Sequence, residues 1–235
     1  MGKYLILVID GCAPDYLTHE TAPNIFDIAS KYGFIKKIKG AVPTVTNVNH
    51  ACILSGKLPK DTKVAGNYYY NPETKEEGFI EEKGFMKSPI VIQACKDKNM
   101  KTAFLTVKGK VLGMYGEGVD IGISAQTPNK DQLEYFGVDM PPKISDVSST
   151  EWIMKVALAC IEKENPDFVY CTTNDCIFHH YGPNTKEARE QIYWIDHYIN
   201  EIHKADPNRQ IYITADHGMG QKHRLLNFQN IAKNR

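Results

Sequence analysis

Tyr4-Leu5-Ile6-Leu7-Val8-Ile9-Asp10-Gly11 is an unbroken apolar run that ends in an acid and a glycine. Its apolar residues do not alternate with polar ones, so the segment reads as a strand buried on both faces, as in a parallel sheet covered by helices. Such a strand delivers Asp10 at its carboxyl end, where open α/β sheets build their sites. Two later segments repeat the pattern. Asp167 to Thr172 is a buried strand followed by Asn174-Asp175, and Gln210 to Thr214 is a strand running into Ala215-Asp216-His217-Gly218.

Between these strands the apolar spacing becomes helical. Pro23 to Tyr32 places Ile25, Phe26, Ile28 and Ala29 on one face, with Gly33 as the stop. A strand over Phe34 to Lys39 is expected next. Thr44 to Gly56 reads as a loop passing into a glycine-closed helix, with Thr46 at or near its N-terminus. Asn67 to Gly84 has turn residues and no sustained period, which suggests an irregular excursion or a small hairpin. Ile90 to Lys98 is a predicted helix and Lys101 to Val107 a strand. A glycine-rich stretch (Gly109, Gly113, Gly116, Gly118) leads to a short strand near Asp120. Helices follow over Ser149 to Lys163, capped by Ser148 or Ser149, and over Lys186 to Ala205. This alternation predicts an α/β fold, a three-layer α/β/α sandwich with a mostly parallel central sheet.

At 235 residues, 42% hydrophobic and 24% charged, the chain can bury a large core and is neither low-complexity nor disordered. Its 28 basic residues balance its 28 acidic ones, which argues against a polybasic nucleic-acid binder. No apolar run approaches the ~18 residues that span a bilayer. The opening segment meets an acid too early for a signal peptide, and Gly2-Lys3-Tyr4-Leu5-Ile6 lacks the Ser or Thr of a myristoylation signal. The expectation is a cytoplasmic protein. Cys12, Cys52, Cys95, Cys160, Cys171 and Cys176 form no C-x-x-C pair, so they read as reduced, mostly buried thiols.

The chemistry gathers at the strand ends. His179 follows Asp175 by one helical turn, so an acid and an imidazole can share one cation. Carboxylate oxygen and neutral imidazole nitrogen suit Zn²⁺ at ~2.0–2.2 Å, and clustered acids without a cation would repel one another. Each piece alone has an ordinary explanation. Asp10-Gly11 and Asp216-His217-Gly218 would serve as turns, and only one of the adjacent His179 and His180 can face a given site. The combination is what points to a metal.

Ile9-Asp10-Gly11, Pro43-Thr44-Val45-Thr46-Asn47-Val48-Asn49-His50, Asp175 with His179, and Thr214-Ala215-Asp216-His217-Gly218-Met219 occur in that order along the chain. The set resembles the alkaline phosphatase superfamily, in its nucleotide pyrophosphatase/phosphodiesterase and phosphonoacetate hydrolase branch. The resemblance implies an alkaline-phosphatase-like core with Thr46 as the nucleophile. It implies two zinc ions, one held by Asp10, Thr46, Asp216 and His217 and the other by Asp175 and His179. Asn67, in Gly66-Asn67-Tyr68, would bind a phosphoryl oxygen. Thr106-Val107-Lys108-Gly109-Lys110 is similar to the lysine pair with which phosphonoacetate hydrolases grip the substrate carboxylate, although Gly109 replaces a residue that is usually larger.

What this implies is zinc-dependent cleavage of the carbon–phosphorus bond of phosphonoacetate, giving acetate and phosphate through a phospho-threonine. The partners would be small phosphonates or phosphoesters, with no nucleic-acid polymer and no membrane, and a homodimer is compatible. Within the same superfamily the alternative is a nucleotide phosphodiesterase/pyrophosphatase or a phosphatase. A nucleotide would need an aromatic slot, which Tyr68, Tyr69 and Tyr70 could supply. An inactive metal-binding core and a purely structural domain are the remaining readings.

The pattern departs from the family towards the C-terminus. The family supplies a late histidine to the Asp175/His179 zinc, beyond an inserted capping region. This sequence runs to Arg235 with only His223 after His217. The expectation is a single core domain over residues 1–235, truncated relative to the family, without cap or last ligand and with one zinc site incomplete. His19, His197 and His203 are given no role. His50, one turn into the Thr46 helix, reads as helix packing, with support of the site as the alternative.

Overall fold

The computed structural model describes residues 2–81, 83–220 and 226–233. In chain order its first half holds β1 (Tyr4–Val8), α1 (Pro23–Tyr32), α2 (Thr46–Ser55), α3 (Pro59–Thr62), β2 (Tyr68–Tyr70), β3 (Glu77–Phe79), α4 (Val91–Lys96) and β4 (Thr102–Thr106). Then follow α5 (Gly109–Tyr115), β5 (Ile121–Ser124), α6 (Lys130–Phe136), α7 (Ser148–Glu164), β6 (Phe168–Thr172), α8 (Cys176–His180), α9 (Lys186–Ala205), β7 (Gln210–Thr214) and α10 (Phe228–Lys233). Five strands form a parallel sheet in the order β5-β4-β6-β1-β7, so the α/β/α architecture is as expected. No helix among the described residues is long and apolar enough to cross a membrane.

The inner strands β1, β4 and β6 are covered on both faces because they are apolar at nearly every position, whereas the edge strand β7 stays partly exposed. Leu5, Leu7, Leu105, Val169 and Cys171 face one layer, where Ile153, Val156 and Ala157 of α7 and Ile192, Ile195 and Ile199 of α9 cover them. Val8, Phe104, Phe168 and Tyr170 point the other way, onto Val48, Ala51 and Leu54 of α2, Ile92 of α4 and Val111 of α5. Each fully buried aliphatic side chain contributes ~1.5–3 kcal/mol, which outweighs local preferences within the helices.

Strand register aligns the ends. β1 pairs with β6 up to Val8 opposite Thr172, and with β7 up to Val8 opposite Thr214. β4 ends level with them, Thr106 opposite Thr172. Four adjacent strands therefore release their loops along one edge of the sheet.

Several local expectations are corrected. Phe34 to Lys39 is not a strand: the segment makes no ladder, and Phe34 is 83% exposed. Pairing would send the adjacent Phe34 and Ile35 to opposite faces, and both sides of β1 are already occupied by β6 and β7. Gly33 ends α1 with an extended backbone rather than a left-handed one, whereas Gly56 closes α2 at φ 66° as expected. The glycine-rich stretch holds α5, because burial of Val111, Met114 and Tyr115 offsets the ~1 kcal/mol that each interior glycine costs a helix. Helix α6 went unanticipated. Neither serine caps α7; Val147 occupies that position and Asp146 Oδ1 accepts the Ser148 N–H at 2.9 Å. The excursion after Asn67 contains an antiparallel hairpin, β2 against β3, with Tyr69 opposite Gly78.

Candidate active site

Three of the loops at the aligned edge are tied to one another through the backbone. Gly11 sits at φ +76°, and a Cβ there would lie 2.9 Å from the Cβ of Asp175. Only glycine lets the β1 loop turn this way while the Asp175 loop closes on it. The Gly11 and His217 N–H groups both donate to Asp216 Oδ1, at 3.1 and 2.8 Å. The Asp10 N–H donates to Thr173 Oγ1, and the Met219 N–H to the Gly11 carbonyl. Asp10, Asp175 and Asp216 are thereby brought together and buried.

The side chains converge with the backbone. His217 Nε2 lies 3.7 Å from Asp10 Oδ1, 3.5 Å from Asp216 Oδ2 and 3.1 Å from Thr46 Oγ1. His179 Nε2 is 3.0 Å from Asp175 Oδ2, across one turn at the start of α8. Lys108, just beyond β4, places its Nζ 2.6 Å from Asp10 Oδ2 and 2.7 Å from Asp175 Oδ1.

Thr46 is the first residue of α2, so its hydroxyl stands where the helix presents unpaired N–H groups. The Asn47 N–H donates to Asn67 Oδ1 at 3.1 Å, and Asn47 Nδ2 donates to the Ile80 carbonyl. Those bonds fasten the base of the β2–β3 hairpin to the α2 N-terminus and bring Asn67 to the site. Lys110 behaves differently from Lys108: it is only partly buried, in the first turn of α5, and no ion pair is found for it among the described residues. The expected lysine pair is split, one member on the carboxylates and the other off them. His223 lies outside the described residues.

Electrostatics show what the cluster lacks. Asp10 Oδ1, Asp216 Oδ2 and His50 Nε2 are buried without a hydrogen-bond partner among the described residues. Burial, reinforced by Asp216, pushes the Asp10 carboxyl up to about 7 although Lys108 pulls it back. Burial also acts to raise Asp175, but Lys108 and His179 outweigh it and hold that carboxyl below its usual value. Burial lowers His50 to about 4, so it is neutral and able to accept or donate. Ligand atoms of Asp10, Asp175 and His217, and of Asp10, His50 and Asp216, lie within 4.8 Å of one another. Orphaned carboxylate oxygens beside a neutral imidazole fit a divalent cation, which would satisfy lone pairs that one ammonium cannot.

Two further residues stand beside the site: His50, read from sequence as helix packing with support of the site as the alternative, and Tyr170, given no role. His50 is fully buried, its Nδ1 2.6 Å from the Tyr170 hydroxyl and its Nε2 3.9 Å from Asp216 Oδ2. The available signal was spacing: His50 follows Thr46 by four residues, on the same face of α2. Tyr170 gave none, since in sequence it is one more apolar position of β6.

Residues 4–235 match the type I phosphodiesterase / nucleotide pyrophosphatase family. A bis(5'-adenosyl)-triphosphatase of Xenopus laevis is 22% identical over 93% of this chain and 47% of its own length. The chain thus spans about half of that curated relative. Among solved structures, phosphonoacetate hydrolase of Sinorhizobium meliloti 1021, in complexes with phosphonoformate and with phosphonoacetate, superposes with a TM-score of 0.88 at 24% identity, covering 99% of this chain and 62% of that one. The alkaline phosphatase PafA superposes at 0.68 with 16% identity over 98% of this chain and 64% of that one. These likenesses establish the alkaline-phosphatase-like fold. The family match, running from the first strand onward, decides the rest: the chain belongs to the type I phosphodiesterase / nucleotide pyrophosphatase family.

Proposed function

We propose that this chain is the hydrolytic core of a zinc-dependent enzyme that cleaves phosphonoacetate to acetate and phosphate. The observation that carries the reading is the place of Thr46: a hydroxyl at a helix N-terminus, 3.1 Å from His217 and beside buried acids whose oxygens lack partners. Asp10, Thr46, Asp216 and His217 would hold one zinc, and Asp175 and His179 the other. Bound zinc would supply charge to lower the pKa of the Thr46 hydroxyl and to neutralise phosphoryl oxygens.

This chain's own residues would do the remainder. Thr46 gives up its hydroxyl proton to solvent water and its Oγ attacks phosphorus, the phosphorus–carbon bond breaks, and the departing carbanion, delocalised onto its carboxylate, takes one proton back from that water, so that no net proton is gained or lost. Water then hydrolyses the phospho-threonine and restores the hydroxyl. Asn67, through Nδ2, and the first N–H groups of α2 other than that of Asn47, which Asn67 Oδ1 accepts, donate to the phosphoryl oxygens as charge develops on them. Lys110, and Lys108 when it leaves the acids, would pair with the acetate carboxylate.

A second reading has its own support. Tyr68 and Tyr70 are about half exposed on the hairpin fastened to Asn67, and Tyr68 packs edge-on against Phe79. That aromatic surface, together with family membership, favours a nucleotide phosphodiester as the competing substrate. The zinc-loaded chain is to be assayed against phosphonoacetate and a nitrophenyl nucleotide diester, each with Thr46→Ala as control. Phosphate release from phosphonoacetate, abolished by Thr46→Ala, is the expected result. Turnover of the diester alone would move the assignment to the second reading, and turnover of neither would leave a metal-binding core.

Lys110→Ala is the clean probe of the carboxylate grip, since Lys108 also touches the acids. It should weaken phosphonoacetate hydrolysis at least ~10-fold more than hydrolysis of a nitrophenyl monoester. Equal losses on the two substrates would argue against the grip.

A further inference from the structure

Lys108 joins the two halves of the acid cluster. Its ammonium takes one oxygen from Asp10, in the set with Thr46, Asp216 and His217, and one from Asp175, in the set with His179. The side chain is 13% exposed and reaches inward from the residue that precedes α5. Asp10 Oδ1 and Asp216 Oδ2 have no hydrogen-bond partner among the described residues, so one ammonium on two of the three buried carboxylates leaves the cluster incompletely satisfied.

Asp10 and Asp175, the two carboxylates that Lys108 holds through Oδ2 and Oδ1, are among those a divalent ion would use. An ammonium 2.6 Å from one oxygen of a carboxylate and a metal bonded to the same carboxylate would stand within several ångströms of each other, and in a buried site their repulsion is large. Both cannot stay. Lys108 alone can leave without dismantling the fold, because its flexible four-carbon stem starts from a loop beside solvent.

We infer that Lys108 is the resident counter-ion of the metal-free site, that an arriving divalent ion displaces it, and that displacement frees its ammonium for an anionic substrate. The last step rests on the function proposed above; the displacement does not. Metal loading and anion binding are then coupled in both directions, because the grip is free only once the metal is in place. A metal-free chain keeps Asp10 and Asp175 paired with Lys108 and offers a substrate carboxylate only Lys110.

Wild-type protein tests this directly. The chelator-treated chain and the same chain with excess Zn²⁺ are pulsed with an amine-acetylating reagent, and modification of Lys108 and Lys110 is read by peptide mass spectrometry. Lys108 should be protected without zinc and modified with it, while Lys110 is modified in both states. Equal modification of Lys108 in the two states overturns the inference.

Calorimetric zinc titration of Lys108→Met and Lys110→Met gives an independent reading. Lys108→Met should lower the melting temperature of the metal-free protein and bind the first zinc about ten-fold more tightly, because no resident cation has to leave. Lys110→Met should do neither. Weaker or unchanged zinc binding by Lys108→Met counts against the inference, as does a wild-type chain that takes up no zinc. A zinc-loaded chain that shows the exchange yet turns over neither substrate overturns only the catalytic reading.

Discussion

Asp216 does two jobs with its two oxygens. Oδ1 accepts the N–H groups of Gly11 and His217 and so joins the β1 and β7 loops, while Oδ2 is buried and has no hydrogen-bond partner among the described residues. Substitutions separate these roles. Asp216→Asn keeps an acceptor for both N–H groups but loses the charge, so zinc affinity should fall by at least ~10-fold with little change in metal-free stability. Asp216→Ala also strands two buried donors and should cost a further ~1–3 kcal/mol. Zinc titration beside denaturant unfolding in chelator checks both, and identical unfolding of the two variants would contradict the acceptor role. Asp10, Asp175, His179 and His217 stood out as candidates from their places at strand ends and their spacing, while Thr46 did so only through the resemblance. The roles of His50 and Tyr170 were not legible, since a buried histidine and a strand tyrosine look alike in sequence whether they meet each other or pack against leucines.

Among the secondary-structure elements, helix α1 lacks a cap of its own. Ala22 stands at its N-cap, and the carboxylate of Asp196 from α9 accepts instead from the Asn24 and Ile25 backbone N–H groups and from Asn24 Nδ2, at 2.7–3.2 Å. This clamp sets the angle between two helices that share one face of the sheet. Asp196→Ala should destabilise the protein by ~1.5–3 kcal/mol, as expected when a buried charged acceptor is removed from helix-terminal donors. Chemical unfolding monitored by circular dichroism measures it, and a loss below half a unit would show that water replaces the clamp. The long helices α1 and α9 could be read from the repeat of their apolar residues, and the buried strands from their continuity. Helix α5 could not, because glycines at 109 and 113 signal a turn until a sheet lies close enough for Val111 and Tyr115 to pack on it. Residues 34–39 mislead in the opposite sense, being strand-like in composition yet having no strand beside them to pair with.

At the scale of the whole molecule, the site joins residues as far apart as Gly11 and Asp216, 205 positions along the chain. A cation bound there would tie the loops after β1, β6 and β7 together and add to global stability. Zinc at about a hundred times its dissociation constant should add ~2.7 kcal/mol, and chelation should remove it. For a domain of this size that corresponds to ~5–10 °C in melting temperature by scanning calorimetry. An unchanged melting temperature would mean that no metal occupies the acids.

The sequence by itself determined the class of fold and which chemistry-bearing residues stand at the strand ends. Acids at strand ends, a threonine opening a helix and the 3.6-residue repeat are properties of single segments, set by covalent spacing and side-chain polarity. Only the tertiary structure decided which segments meet. The level register of β4, β6, β1 and β7 gathers Lys108, Asp175, Asp10 and Asp216 at one edge, sets Lys108 between two acids while Lys110 stays outside, and turns His50 toward Asp216. Such contacts depend on strand order and packing across the sheet, which arise from the burial of many residues together and are written in no one stretch of chain.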